Sequence, residues 1–175
     1  MRIISGKLKS RRLSAPKNLP VRPTTDMAKE SLFNILNNNY FFDSISVIDL
    51  FSGTGNISYE FSSRGTKTIC AVDAHYGCIK YINETAKALD LDINTFKSDV
   101  YKFLEKTALK ADIIRSRGHC SLKSASNSTK EMPIECHKAA QNKSAYTFLF
   151  MVDAFRTLRT CITTGTNHKE KPTVV

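Results

Sequence analysis

The chain has 175 residues, of which 41% are hydrophobic, enough for one α/β domain with a real core. Its net charge of +10 points to a polyanionic partner. No apolar run is long enough to cross a bilayer, and Met1-Arg2-Ile3-Ile4-Ser5-Gly6 is not a signal-peptide start, so a membrane role is excluded and a cytoplasmic protein is expected.

The charge is unevenly placed: residues 1–36 carry eight Lys or Arg against two acids, residues 37–114 eight against ten, and residues 115–175 ten against four. Arg2 to Leu13 alternates apolar and basic residues around Gly6, which predicts a short hairpin or an extended arm. Lys7, Lys9, Arg11, Arg12, Lys17 and Arg22 make this stretch a phosphate-neutralising cluster, with a solvated tail as the alternative. Pro16, Pro20 and Pro23 mark a linker. Thr24, Thr25 and Asp26 are N-cap residues for a helix carrying Ala28, Leu32, Ile35 and Leu36, which ends near Asn37-Asn38-Asn39.

Val47–Phe51 reads as a buried strand, and Ile57 and Phe61 lie on one face of a short helix ended by Arg64-Gly65. Lys67–Val72 is the second strand, followed by a helix with Ile79, Ile82, Ala86 and Leu89 in a stripe. Ile93–Lys97 is the third strand and Ala111–Ile114 begins a fourth. Strands alternating with helices predict an α/β fold with a mainly parallel sheet.

The chemistry centres on Val47-Ile48-Asp49-Leu50-Phe51-Ser52-Gly53-Thr54-Gly55 and on the second strand closed by Asp73. A glycine turn after one strand and an acid after the next build a nucleoside pocket, in which Asp73 would hold both ribose hydroxyls. A dinucleotide fingerprint would want a third glycine, where Ser58 stands, and Asp49 inside the loop would repel phosphate. The loop therefore suits S-adenosylmethionine, which is cationic and carries no phosphate. Asp99, after the third strand, is placed to accept from an adenine amino group while Val100 packs on the ring; a plain helix cap is the alternative. The five cysteines contain no Cys-x-x-Cys pair and read as free thiols, and neither they nor the histidines form a metal site.

Residues 2–13, 22–36, 48–55 and Ser63-Arg64-Gly65 resemble RsmD, the bacterial methyltransferase family of small-subunit ribosomal RNA, and the resemblance covers residues 1–114. Arg22-Pro23-Thr24-Thr25-Asp26 joined to Leu32-Phe33-Asn34-Ile35-Leu36 is its most specific part. The resemblance implies a Rossmann-like S-adenosylmethionine-dependent fold, and a monomer is expected. It also implies methyl transfer to the exocyclic N2 of a guanine in 16S rRNA. Asp49, Phe51, Gly53, Gly55, Asp73, Asp99 and Val100 would hold the cofactor; Arg2, Lys7, Lys9, Arg11, Arg12 and Arg22 would contact RNA.

The family's fourth strand ends in Asp/Asn-Pro-Pro-Tyr/Phe, whereas here Ala111-Asp112-Ile113-Ile114 runs into Arg115-Ser116-Arg117-Gly118-His119-Cys120, so no catalytic residue is assigned. Residues 115–150 also lose the strand–helix rhythm, as in a loop or disordered segment. The expected organisation is a basic arm and linker over 1–23, an incomplete cofactor-binding core over 24–114, and an aberrant tail over 115–175 of the kind a shifted reading frame produces. Two further readings stay open: a noncatalytic RNA-binding module with a vestigial pocket, and a small-molecule methyltransferase or nicotinamide enzyme on the same fold.

Overall fold

The computed structural model describes residues 1–21, 24–117, 146–151 and 159–163. In chain order these form α1 (Asp26–Asn37), β1 (Ser46–Leu50), α2 (Asn56–Ser63), β2 (Thr68–Asp73), α3 (Tyr76–Ala88), β3 (Asn94–Lys97), α4 (Val100–Lys106), β4 (Ile113–Arg117), β5 (Tyr146–Met151) and β6 (Arg159–Thr163). The sheet order is β3-β2-β1-β4-β5-β6, parallel except for the antiparallel β5–β6 pair. The order reverses between β1 and β4, which places a ligand crevice at their carboxyl ends.

The central strands β1 and β2 are largely buried on both faces because helices cover both. Val47, Ile69, Ala71 and Ile113 face a core completed by Leu32, Phe33 and Leu36 of α1, Ile57 and Phe61 of α2, and Ile82 and Ala86 of α3. Ile48, Leu50, Cys70, Val72 and Ile114 face the opposite side, against Val100 and Phe103 of α4. Alternation along each strand thus gives three layers.

Helix α1 begins as expected, with the Thr25 hydroxyl accepting from the Ala28 N–H at 3.3 Å. Its buried face differs from the expected stripe: Lys29, Leu32, Phe33 and Leu36 are buried, while Ala28 and Ile35 are only half-buried. A lysine takes an apolar position because its ammonium has three acceptors waiting. Lys29 Nζ donates to the Arg2 carbonyl and to Asn56 Oδ1 at 3.1 Å, and lies 3.5 Å from Glu60 Oε2. Burial lowers the Lys29 pKa from its ordinary 10.5, against the raising effect of Glu60 and Asp26.

Every residue of α2 is buried. The sheet covers one side and residues 1–13 cover much of the rest, so this arm is not a solvated tail. Arg2 and Arg12 form an antiparallel bridge, Ile3 N–H donates to the Arg11 carbonyl at 3.0 Å, and Ile3 is fully buried. The Ile4 and Ser5 N–H groups donate to the two Glu60 oxygens at 2.8 and 3.0 Å, and Lys7 N–H to the Ser63 carbonyl at 2.7 Å. Gly6, at φ 82°, lies so close to Ser63 that an added Cβ would stand 1.8 Å from that carbonyl oxygen.

The fourth strand runs beyond Ile114 to Arg117, and Tyr146–Met151 adds a strand within the stretch expected to be loop or disordered. Strand pairing uses backbone groups, so polar side chains at 115–117 do not prevent it while β1 offers a free edge. The tail's remaining residues apart from β6, among them His119, Cys120, Cys136, His137 and His168, lie outside the described residues. Among the described residues no helix is long and apolar enough to cross a membrane.

Replacing Lys29 by Met should lower the unfolding free energy by about 3–5 kcal/mol, because Glu60 and the Arg2 carbonyl lose their buried partner. The folded pKa of Lys29 is lowered, so below pH 10.5 the unfolded chain binds more protons than the folded one and the lysine's contribution to stability rises with pH. Denaturant titrations at stepped pH should show the gap between wild type and Lys29→Met widening toward pH 10.5; a narrowing gap would contradict this sign.

Candidate functional site

The turn from β1 to α2 runs Phe51-Ser52-Gly53-Thr54-Gly55 with Phe51, Gly53 and Gly55 at φ 56°, 57° and 73°. Three left-handed residues in five give the tight turn that carries the chain from strand into helix. At Gly55 a side chain is excluded twice over, by φ and because a Cβ would meet Ile82 Cγ1 at 2.9 Å and Tyr59 Cζ at 3.0 Å. The loop is pinned to β2: Ser52 N–H donates to the Val72 carbonyl at 3.0 Å, and Gly53 N–H to Asp73 Oδ2 at 2.8 Å.

Asp73 stands at the carboxyl end of β2, half-buried, and its Oδ1 accepts from His75 N–H at 2.8 Å. The carboxylate is thereby held between the glycine loop and the start of α3. A carboxylate offers about four acceptor positions, so each oxygen keeps one for a hydroxyl donor. The Ser98 N–H donates to the Asp73 carbonyl at 3.1 Å, which brings the β3–α4 turn to the same edge.

At that turn Asp99 caps α4, its Oδ1 accepting from the Tyr101 and Lys102 N–H groups at 3.1 and 3.2 Å. Asp99 is exposed, whereas Val100 is 3% exposed and spends its side chain on the core beside Phe51. The structure thus gathers Gly53, Gly55 and Asp73 at one edge, with Asp99 beside them, and places Phe51 and Val100 beneath.

Asp49 does not open into the loop. Period-two alternation points it to the α2 face of β1, where it is fully buried and both oxygens are taken: Ser58 Oγ donates to Oδ2 at 2.6 Å and Arg115 Nη1 to Oδ1 at 2.7 Å. Asp49 and Arg115 are register partners across β1 and β4, and Arg115 is 2% exposed. The expectation that Asp49 faces a cationic ligand is corrected accordingly, since its charge is met inside the fold. Ser58, at the absent third glycine, is the hydroxyl this carboxylate uses. Arg115 is the functional-edge residue that sequence reading passed over; pairing β1 with β4 at Val47 and Ile113 would have found it.

On the arm, Lys7, Lys9, Arg11 and Arg12 are exposed and belong to none of the ion pairs among the described residues. Arg2 is committed internally, 3.4 Å from Asp26 and 3.8 Å from Glu30. Arg22 lies outside the described residues. Cys70 and Cys78 are free and buried, and burial pushes their thiols up to about 12 and about 11, out of the range of reactive thiolates. No metal-binding group of side chains occurs among the described residues.

Because the Arg115 guanidinium and the Asp49 carboxylate are both buried, Arg115→Met should destabilise the fold by about 3–5 kcal/mol through an unpaired carboxylate. Adding Asp49→Asn should recover much of that loss in the double variant, as read from urea midpoints. A double variant as unstable as the single one would show that Arg115 serves packing and not charge.

The chain is 37% identical over 118 residues to the Bacillus subtilis protein named "Putative rRNA methyltransferase YlbH", covering 67% of this chain and 61% of that one. It is 28% identical over 115 residues to the ribosomal RNA small subunit methyltransferase D of Buchnera aphidicola (subspecies Baizongia pistaciae), covering 65% of this chain and 58% of the relative. The chain therefore spans about three-fifths of these relatives' length. A solved Escherichia coli structure, described as "Putative methyltransferase yhhF", superposes with a TM-score of 0.70 at 17% identity, over 86% of this chain and 78% of that one, so the fold is the Rossmann-like methyltransferase fold. Residues 1–115 match the family described as "Conserved hypothetical protein 95", and the chain belongs to that family, the RsmD family its sequence resembles.

Proposed function

We propose that this chain is, by descent, an S-adenosylmethionine-dependent methyltransferase directed at the exocyclic N2 of a guanine in 16S rRNA, which keeps cofactor and RNA binding but lacks the groups that perform transfer. The observation that carries the cofactor half is Asp73, held by Gly53 and His75 at the carboxyl end of β2 with acceptor positions to spare. Two ribose hydroxyls suit those positions. The bound cofactor would supply an electrophilic methyl group on a sulfonium.

The RNA half rests on the arm. Lys7, Lys9, Arg11 and Arg12 project from a hairpin fixed to α2, so their charges are presented by a rigid support. Ordering entropy is already met in the fold, which favours phosphate contacts in a defined register. Arg2 is spent on Asp26 and Glu30 and contributes less.

Transfer to a guanine N2 needs more than binding. The conjugated amine is a poor nucleophile, so an acid or amide and a backbone carbonyl must hold its hydrogens while an aromatic ring stacks the flipped base. The carboxyl end of β4 offers Arg115, Ser116 and Arg117 where those groups would stand, with Arg115 turned inward to Asp49. The alternative of a noncatalytic RNA-binding module with a vestigial pocket takes support from the same residue.

Calorimetry with S-adenosylhomocysteine should give measurable binding to the wild type and none to Asp73→Ala. With radiolabelled S-adenosylmethionine and small ribosomal subunits lacking the modification, methyl transfer should be undetectable. Equal binding by both proteins would remove the pocket assignment, and transfer at the rate of an intact family member would overturn the catalytic reading.

Replacing Lys9, Arg11 and Arg12 together by Ala should weaken RNA binding and lower the slope of log K against log salt by about 2–3, because each cation removed leaves one phosphate to keep its counterion. An unchanged slope would free the arm of any RNA role.

A further inference from the structure

The linker between the basic arm and α1 does not leave the molecule after Leu13. Ser14 is tied to α3 by the Tyr81 hydroxyl, which donates to the Ser14 carbonyl at 3.2 Å. A turn follows, with Leu19 N–H donating to the Pro16 carbonyl at 3.3 Å, and the segment then crosses the edge where Asp73 stands. Two contacts fix this crossing. Val21 lies over the loop, its Cβ and Cγ1 3.7 Å from where a side chain on Gly53 would begin. Leu19 lies over the first turn of α3, its Cδ2 3.0 Å from the corresponding point on Gly77, beside the His75 ring.

Gly53 and His75 are the two residues whose N–H groups hold the Asp73 carboxylate. Val21 thus lies beside Gly53 and Leu19 beside the His75 ring at Gly77, and both are half-buried. A molecule held by Asp73 and lying along the glycine loop must meet these side chains. Pro16 and Pro20 limit the conformations open to the segment, so such a contact costs little ordering entropy.

We propose that Leu19 and Val21 form the outer wall of the nucleoside site, supplying apolar contact to the ribose and base of a bound adenosine moiety. This rests on the cofactor reading above. It makes the pocket a composite of the α/β core and the chain segment that carries the basic arm. Lys17 is exposed at the turn of the same segment and offers trypsin a site there.

The test uses S-adenosylhomocysteine with the full chain. Leu19→Ala and Val21→Ala should each weaken calorimetric affinity by about five- to tenfold, since less apolar surface is buried against the ligand, leaving the melting temperature without ligand unchanged. Leu19→Met and Val21→Ile should bind within about twofold of wild type. Saturating S-adenosylhomocysteine should also slow tryptic cleavage after Lys17, and not in Asp73→Ala. If wild type binds but the alanine variants bind equally and cleavage is unaffected, the wall is wrong and the cofactor reading stands. Alanine variants melting as low as they bind weakly, unrescued by Met or Ile, would reduce the segment to a structural brace. If wild type does not bind at all, both proposals fall together.

Discussion

The Glu60 carboxylate is fully buried and surrounded by donors from three separate parts of the chain. The Ile4 and Ser5 N–H groups come from the arm, Lys29 Nζ from α1, and Arg64 Nε, at 3.0 Å, from its own helix. A buried charge is tolerable only when so compensated, and here the compensation is also the assembly instruction. Glu60 sits in α2, whose N-cap is Gly55, so the helix inherits its position from the glycine loop. Arm, first helix and loop are thereby referred to one point, and the Arg64 guanidinium extends that point into the core by lying 4.5 Å from the centroid of the Phe33 ring.

A second buried pair governs the other end of the same helix. Asp49 takes Ser58 from α2 and Arg115 from β4, which locks the glycine loop against the strand beside the crevice. The consequence is electrostatic as well as mechanical. A carboxylate paired within the fold offers little attraction to a cationic ligand, so in the proposed reading recognition at this edge would fall to Asp73 and to the backbone of the loop. Arg115 Nε has no hydrogen-bond partner within the described structure, so the guanidinium is held by Asp49 without being fully satisfied.

The arm and the edge of the candidate pocket are not independent features attached to a common core. Residues 1–13 close over α2, and residues 14–21 pass along α3 to the glycine loop, so one continuous segment touches the support of the basic patch and the rim of the candidate pocket.

Much of this was legible in the residues themselves. Apolar runs at Val47–Leu50 and Ile69–Val72, the glycines between, the acid at Asp73 and the Thr25 cap define strands, turn and helix through local rules of period and backbone freedom. The hairpin about Gly6 was legible for the same reason. What lay beyond sequence were contacts set by register and docking. Lys29 counts as a surface residue until Glu60, Asn56 and the Arg2 carbonyl are brought to it. Asp49 reads as a ligand-facing acid until β4 places Arg115 beside it, 66 residues away. Leu19 and Val21 are linker residues until Gly77 and Gly53 are found beneath them. Local pattern determines which elements form and where chemistry can sit; only tertiary packing decides which charges are already spent, because pairing and burial depend on neighbours distant in the chain.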